Sequence, residues 1–420
     1  MNDTDPIPAT ALRRGPKPEA PLAVEDLQGF KFFERLRGLF ATLHSSAAHR
    51  NRKLFYDEYA MGLLFYFFNP AINSLRGLQR ATEFEKVQKA LGLRRMSLGS
   101  MSESVRLFEP ALLEQVFERL AGESAERAAD PRLKDLRQIL TVVDGTILPA
   151  LPRMAWAVWL RDTDRGVRAH VQFEVLKGVP ARVALTPGTA SEVEHLKKNL
   201  RPGRLYVVDR GYRDSELFAQ IVAADSSFVA RLADNSVCET QEEHALTPEA
   251  VQAGVIRDRV VILGCPKSRE KFQRPVRLVE VLVPAHPPRG LKYPVQRVSS
   301  KKTFREPVGE PYTLRLATDR LDLPSDVIAL IYLHRWKVEL FFRLLKSVFG
   351  LRHLLSDSYE GVSIQVYAAL LATLLLAEYT GLAASKRTYE LVTLYLQGWV
   401  SREELLRALA KTQQADLKNA

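Results

Sequence analysis

Residues 139–144 read ILTVVD and residues 204–209 read RLYVVD. Each is a short run rich in β-branched residues that closes on an aspartate, Asp144 and Asp209. Branching at Cβ restricts χ1 and suits a pleated, buried surface. Both runs are therefore expected to be strands, with each acid at a strand's C-terminal end, where neighbouring strands can bring acids together at one sheet edge. Between the two runs, VRAHVQFEV (167–175) sets Val167, Ala169, Val171, Phe173 and Val175 on one face, the alternation of a half-buried strand. Gly178 and Pro180 mark a turn, ARVALT (181–186) a further strand, and SEVEHLKKNL (191–200) a helix stopped by Pro202 and Gly203. After RLYVVD come the helix DSELFAQIVAA (214–224) and the strand SFVARL (227–232). The order is three strands, then helix, strand, helix, strand, which makes the core α/β.

Outward from this core the pattern changes. Residues 1–25, rich in Pro and Ala, read as a disordered lead-in without the apolar stretch of a signal peptide. Residues 26–135 read as helices: FKFFERLRGLF (30–40), LFYDEYAMGLLFYFF (54–68, before Pro70), ATEFEKVQKALGL (81–93, stopped by Gly92), and SMSESVRLFEPALLEQVFERLA (100–121), with Ser100 or Ser102 as its N-cap. Residues 136–233 and 312–350 form the core. YTLRLATD (312–319) resumes its style, and one long helix is expected from about Pro324 to Phe349. Residues 234–311 interrupt it with short strand-like runs, VVILG (260–264) and VRLVEVLV (276–283), in a Pro-rich basic setting. Residues 351–420 are helical again; their apolar run VYAALLATLLLA (366–377) stops at Glu378, short of the ~20 residues of a membrane span.

The chain has 420 residues, a formal net charge of +11 and a pI near 9.5. A basic excess speaks of partners, nucleic acid first and an anionic membrane surface second. It is concentrated. Between Lys267 and Arg305 there are eleven Lys or Arg against only Glu270 and Glu280, a local +9. Arg297, Lys301, Lys302 and Arg305 are the candidate phosphate contacts there, and the same segment carries the aromatics Phe272, Tyr293 and Phe304, a kind of residue that more often belongs to a core. Arg76, Arg80, Arg94 and Arg95, with Ser102 and Arg106, lie on or between the N-terminal helices and suit DNA contact or a solvated basic face equally. Cys238 and Cys265 form neither a metal motif nor a redox pair, which fits a reducing cytoplasm. His170 and His334 read as satisfied structural residues rather than metal ligands.

In the long helix, Tyr332, Arg335, Glu339 and Lys346 follow at spacings of three, four and seven, which puts them on one face beside an apolar stripe of Ile331, Val338 and Leu345. Read singly, an aspartate ending a strand is usually a turn or cap residue, and Arg335–Glu339 is an ordinary i,i+4 pair. Together, three carboxylates suit hard, oxygen-preferring Mg2+, and two such ions about 3.5–4 Å apart clamp the attacking and leaving oxygens of a phosphodiester. Arg335 and Lys346 then face phosphate, Tyr332 hydrogen-bonds it, and Gly211 lets the backbone approach the metals.

TVVDGT (141–146), LYVVDRGYRDSELF (205–218) and Tyr332-x2-Arg335-x3-Glu339-x6-Lys346 resemble the three motifs of DDE transposases, the last being the YREK signature of the insertion-sequence-four type. The resemblance covers roughly residues 70–380. It implies a ribonuclease H-like catalytic core interrupted by a β-rich insertion, and metal ligation by Asp144, Asp209 and Glu339, with two Mg2+ ions for which Mn2+ substitutes. It further implies cleavage at terminal inverted repeats and strand transfer into target DNA, a DNA-end-binding role for the N-terminal helices, a homodimer when ends are paired, and action at the bacterial nucleoid rather than a membrane. In relatives the insertion helps to hold a DNA hairpin, and by that analogy Phe272, Tyr293 and Phe304 are candidates to stack on a displaced base. The competing expectations are a ribonuclease H-like nuclease without strand transfer and a host-adopted DNA-binding regulator.

Overall fold

The computed structural model describes residues 40, 43–44, 53–127, 131–133, 135–150, 154, 156–157, 165–264, 271–284 and 311–418. The chain divides into two compact units, Met1–Phe108 with Thr393–Ser401, and Glu109–Val392 with Arg402–Ala420.

The first unit is helical: α1 (Tyr56–Phe68), α2 (Leu75–Ala81), α3 (Glu85–Leu91) and α4 (Leu98–Ser104). Helix α3 ends at Gly92 with φ 65°, a left-handed cap that glycine adopts without a Cβ penalty. The N-cap of α4 is Ser97, which accepts from the Ser100 N–H, and not Ser100 or Ser102. The helix expected across residues 100–121 is two helices, because Pro110 cannot continue the first and instead opens α5 (Pro110–Glu123), which belongs to the second unit.

The second unit is built on one nine-stranded sheet in the order β3-β2-β1-β4-β5-β9-β8-β7-β6. Its first half comprises β1 (Ile139–Ala150), β2 (Arg165–Glu174), β3 (Val179–Pro187), α6 (Glu192–Lys197), β4 (Arg204–Val208), α7 (Ser215–Ala223) and β5 (Ser227–Arg231). This is the succession expected from sequence. β2 and β3 are antiparallel to their neighbours, whereas β1, β4 and β5 run parallel. Strand β4 is buried along its whole length, flanked by β1 and β5 in the parallel part of the sheet. On one face Val143, Tyr206, Val208, Phe228 and Ala230 pack with Leu196 of α6 and with Leu217, Phe218 and Ile221 of α7.

The second half adds a feature that the sequence does not signal. β6 (Cys238–Glu243), α8 (Pro248–Gln252), β7 (Val255–Leu263) and β8 (Val276–Val283) lie within residues 234–311, yet their strands are not set apart from the core. They continue its sheet through β9 (Tyr312–Thr318), which pairs with β5 on one side and β8 on the other. Arg277 donates to both Asp258 carboxylate oxygens at 2.8 and 2.6 Å, and Arg259 donates to Glu280 at 2.7 Å, so part of this segment's basic charge is spent internally. Phe272 is buried against Phe218 and Phe228 in the core and is no stacking platform. Tyr293, Phe304, Arg297, Lys301, Lys302, Arg305 and Cys265 lie outside the described residues.

The expected long helix is two, α9 (Ser325–Leu333) and α10 (Trp336–Ser347). The Arg335 and Val338 N–H groups bond three residues back, to Tyr332 and Arg335, which tightens the chain at the junction without Gly or Pro. Helices α11 (Tyr359–Thr380), α12 (Lys386–Leu396) and α13 (Arg402–Lys418) complete the chain. At 22 residues α11 is long enough to cross a membrane, so the length argument fails; 94% of its apolar window is buried in the protein, and that burial accounts for its composition.

Candidate active site

The two strand aspartates come together through strand register. β1 and β4 pair in parallel from Ile139–Arg204 to Val143–Val208, and there the pairing stops. Asp144 and Asp209 are the next residues of the two strands, side by side where they part. The expectation that Asp144 ends its strand is not met. β1 runs on to Ala150 against β2, with Asp144 opposite Val171. That register puts Asp144 on the face of Val171 and Phe173, and Phe173 packs on Phe341 of α10 at 5.5 Å between ring centroids. The aspartates therefore meet the side of the sheet that carries the third acid.

Asp209 caps a short turn, Arg210–Tyr212, its Oδ1 accepting from the Arg210 N–H at 2.7 Å. The same oxygen accepts from the Tyr332 hydroxyl at 3.1 Å. Arg335 lies at the junction of α9 and α10, its side chain 12% exposed. It donates to Glu339 Oε1 at 2.7 Å and stands 3.8 Å from Asp144 Oδ2. Burial works against its charge, but Tyr332, Asp209 and Glu339 around it more than compensate, and its pKa is raised. Burial pushes the Tyr332 phenol up, and the Asp209 carboxylate beside it adds to the shift. Lys346 joins none of these contacts among the described interactions; it is half-buried, and burial followed by the nearby Arg352 lowers its pKa. A Cβ at Gly211 would meet no protein atom within 4 Å.

Burial raises Asp144 to about 6; the Gly145 N–H and Arg335 oppose this, while Glu192 and Asp209 reinforce it. A carboxyl raised above its unfolded value stabilises the fold in its protonated form, so this contribution is present below about pH 4 and lost as pH rises through about 6. Asp144→Asn should therefore raise Tm above wild type at pH 8 in metal-free buffer, with no gain at pH 4. Thermal melts at the two pH values test this, and an equal shift at both would remove the titration from the account.

His170 stacks on His195 at 4.0 Å and bonds Thr186 at 2.8 Å; burial lowers it to about 3, which keeps it neutral and structural. Of the N-terminal arginines, Arg94 donates to both oxygens of buried Glu58, at 2.7 and 2.9 Å, and Arg95 pairs with Glu83 at 3.2 Å. Arg76 and Arg80 sit exposed, one turn apart on α2, as do Ser102 and Arg106 near α4.

Residues 136–375 match the family model described as the transposase DDE domain. The chain belongs to this transposase family. DDE transposases are enzymes that act on DNA and use divalent metal ions. A transposase-named protein of Sinorhizobium fredii is 22% identical over 63% of this chain and 67% of its own length. A Geobacillus stearothermophilus protein, named as a transposase for an insertion sequence element, is 25% identical over 56% of this chain. The match spans 55% of that relative. A solved piggyBac transposase synaptic complex with hairpin DNA aligns over 92% of this chain and 84% of its own at 12% identity, with a TM-score of 0.38, a likeness that assigns no residue a role.

The carboxylates of Asp144, Asp209 and Glu339 offer oxygen donors only, the kind a hard divalent cation prefers. As the side chains stand, no three His, Cys, Asp or Glu among the described residues are close enough together to hold an ion. Arg335 carries the positive charge among the three acids instead.

Proposed function

We propose that this protein is the transposase of a YREK-type insertion sequence, and that Asp144, Asp209 and Glu339 hold two Mg2+ ions for cleavage at the element's ends and strand transfer into target DNA. The observation that carries the reading is the end of the β1–β4 pairing at Val143–Val208, which delivers two aspartates side by side to the sheet face bearing Tyr332, Arg335 and Glu339. The order β3-β2-β1-β4-β5, with β2 and β3 antiparallel and β1, β4 and β5 parallel, supports reading this part of the sheet as a ribonuclease H-like core. Bound metal would activate the attacking oxygen and stabilise the leaving one. The chain's own part is positional. Tyr332 steadies Asp209, Gly145 N–H steadies Asp144 at 2.8 Å, and Arg335, held by Glu339, offers its fork to a scissile phosphate. Lys346, two turns further along α10, adds charge for the flanking DNA. A homodimer would bring two ends together.

The test is incubation of the protein with Mg2+, a duplex carrying the inverted repeat that flanks its reading frame, and a target plasmid. The proposal expects nicked ends and joined products, both abolished by EDTA. Nicking without joining would convert the reading to a nuclease, and neither product would refute both. Transposition also needs extensive phosphate contact, which we assign to the basic segment of residues 267–305. Replacing Arg297, Lys301, Lys302 and Arg305 together with Ala should lower the log–log salt slope of DNA binding by about 3–4, since each phosphate contact contributes roughly 0.9. An unchanged slope in a salt titration would show that these four residues make no phosphate contact.

A further inference from the structure

We propose that Glu192, clamped by Arg168, is the positioning residue for Asp144, acting from the opposite face of the sheet through Gly145; this rests on the metal-binding reading of the three acids. Residue 145 pairs with His170, not Val171, so it points to the face away from the catalytic acids. On that face Glu192 opens α6, behind the N-cap Ser191. Its carboxylate is packed so tightly on Gly145 that a Cβ there would lie 2.9 Å from the Glu192 carboxyl carbon. A free glutamate would swing away at little cost. This one is held by the Arg168 guanidinium, which pairs with Glu192 Oε1 and also donates to the Gly188 carbonyl from Nε and Nη2 at 3.2 and 3.0 Å. Both partners are 23% exposed.

The Gly145 peptide is thus fixed from behind, and its N–H is the group that donates to Asp144 Oδ1 at 2.8 Å. The chain of contact runs from Arg168 to Glu192, to the Gly145 backbone, to the Asp144 carboxylate. Groups that orient a metal ligand without touching the ion commonly govern affinity by about 10–100-fold. Glycine after the catalytic aspartate is then required for the room it leaves the glutamate.

Mn2+ alone is titrated into the full chain, with free Mn2+ read by electron paramagnetic resonance and Tm recorded in parallel. The variants are Glu192→Gln, Glu192→Asp, Gly145→Ala and Asp144→Asn. Glu192→Asp keeps the charge but withdraws the carboxylate from Gly145, and Gly145→Ala keeps the charge but drives Glu192 off. We expect both to weaken Mn2+ binding about tenfold or more, as Glu192→Gln does, with Tm close to wild type. Full affinity in Glu192→Asp and Gly145→Ala, with loss only in Glu192→Gln, would reduce Glu192 to a distant charge and overturn the proposal. So would losses that merely follow a fall in Tm. If Gly145→Ala fails to fold, Glu192→Asp decides alone. Asp144→Asn separates the two levels. If it abolishes binding while all Glu192 variants bind normally, only this proposal fails; if it binds Mn2+ like wild type, the metal reading fails and this proposal with it.

Discussion

Asp144→Asn, Asp209→Asn and Glu339→Gln should each stop strand cleavage while leaving DNA binding intact. Each replacement keeps side-chain size and removes one anionic oxygen donor. Metal assistance is worth several kcal/mol in such a transition state, and every 1.36 kcal/mol is tenfold in rate, so the loss should be on the order of a thousandfold or more. DNA affinity should hold or rise, because a negative charge near phosphate is gone. Asp209→Asn also alters the acceptor of the Tyr332 hydroxyl, and Glu339→Gln and Asp144→Asn each weaken an ion pair with Arg335, so every variant is compared with wild type for thermal stability as well. Nicking assays beside gel shifts on one preparation would show the effect. Normal nicking by any one variant would remove that residue from the metal site.

Arg335→Ala should slow cleavage by about 100- to 1000-fold, the range for removing one preorganised donor to transition-state charge. Its signature differs from that of the acids. Arg335 is the cation that now shares the site with Asp144 and Glu339, so removing it takes away a competitor for those carboxylates. Mn2+ affinity should stay level or increase while turnover falls. Arg335→Lys should recover only part of the rate, because a lysine cannot present two parallel donors to a phosphate. A drop in Mn2+ affinity as large as that of the acid variants, or a rate loss that follows a lowered Tm, would make Arg335 a structural residue.

Local periodicity reveals the core's element order because its strands are rich in β-branched residues and several are followed by turn residues. Helical spacing also groups Tyr332, Arg335 and Glu339, which the structure does place in contact with one another or with Asp209, whereas Lys346 makes none of these contacts. What it misses is non-local or lacks a local cue. Nothing in residues 234–311 signals that their strands join the core sheet, because the pairing of β8 with β9 spans distant segments. β6 reads as loop because Glu239, Thr240, Gln241, Glu242 and Glu243 are all exposed; it is the sheet's edge, where charge discourages pairing with other chains. The break between α9 and α10 lacks Gly and Pro, so periodicity runs through it. Gly145 and Pro149 suggest that β1 stops at Asp144, yet the antiparallel ladder with β2 carries it to Ala150. Glu192 passes for an ordinary first-turn acid favoured by the helix dipole. The available cue was the glycine directly after Asp144.

The central claim is that Asp144, Asp209 and Glu339 together hold the metal ions of the reaction. Its most direct test is the Mn2+ stoichiometry of the protein bound to its inverted-repeat duplex, measured by titration for wild type and for each acid variant. The account predicts two ions per protomer in wild type and fewer in every one of the three variants. Wild-type stoichiometry and affinity in all three would contradict it.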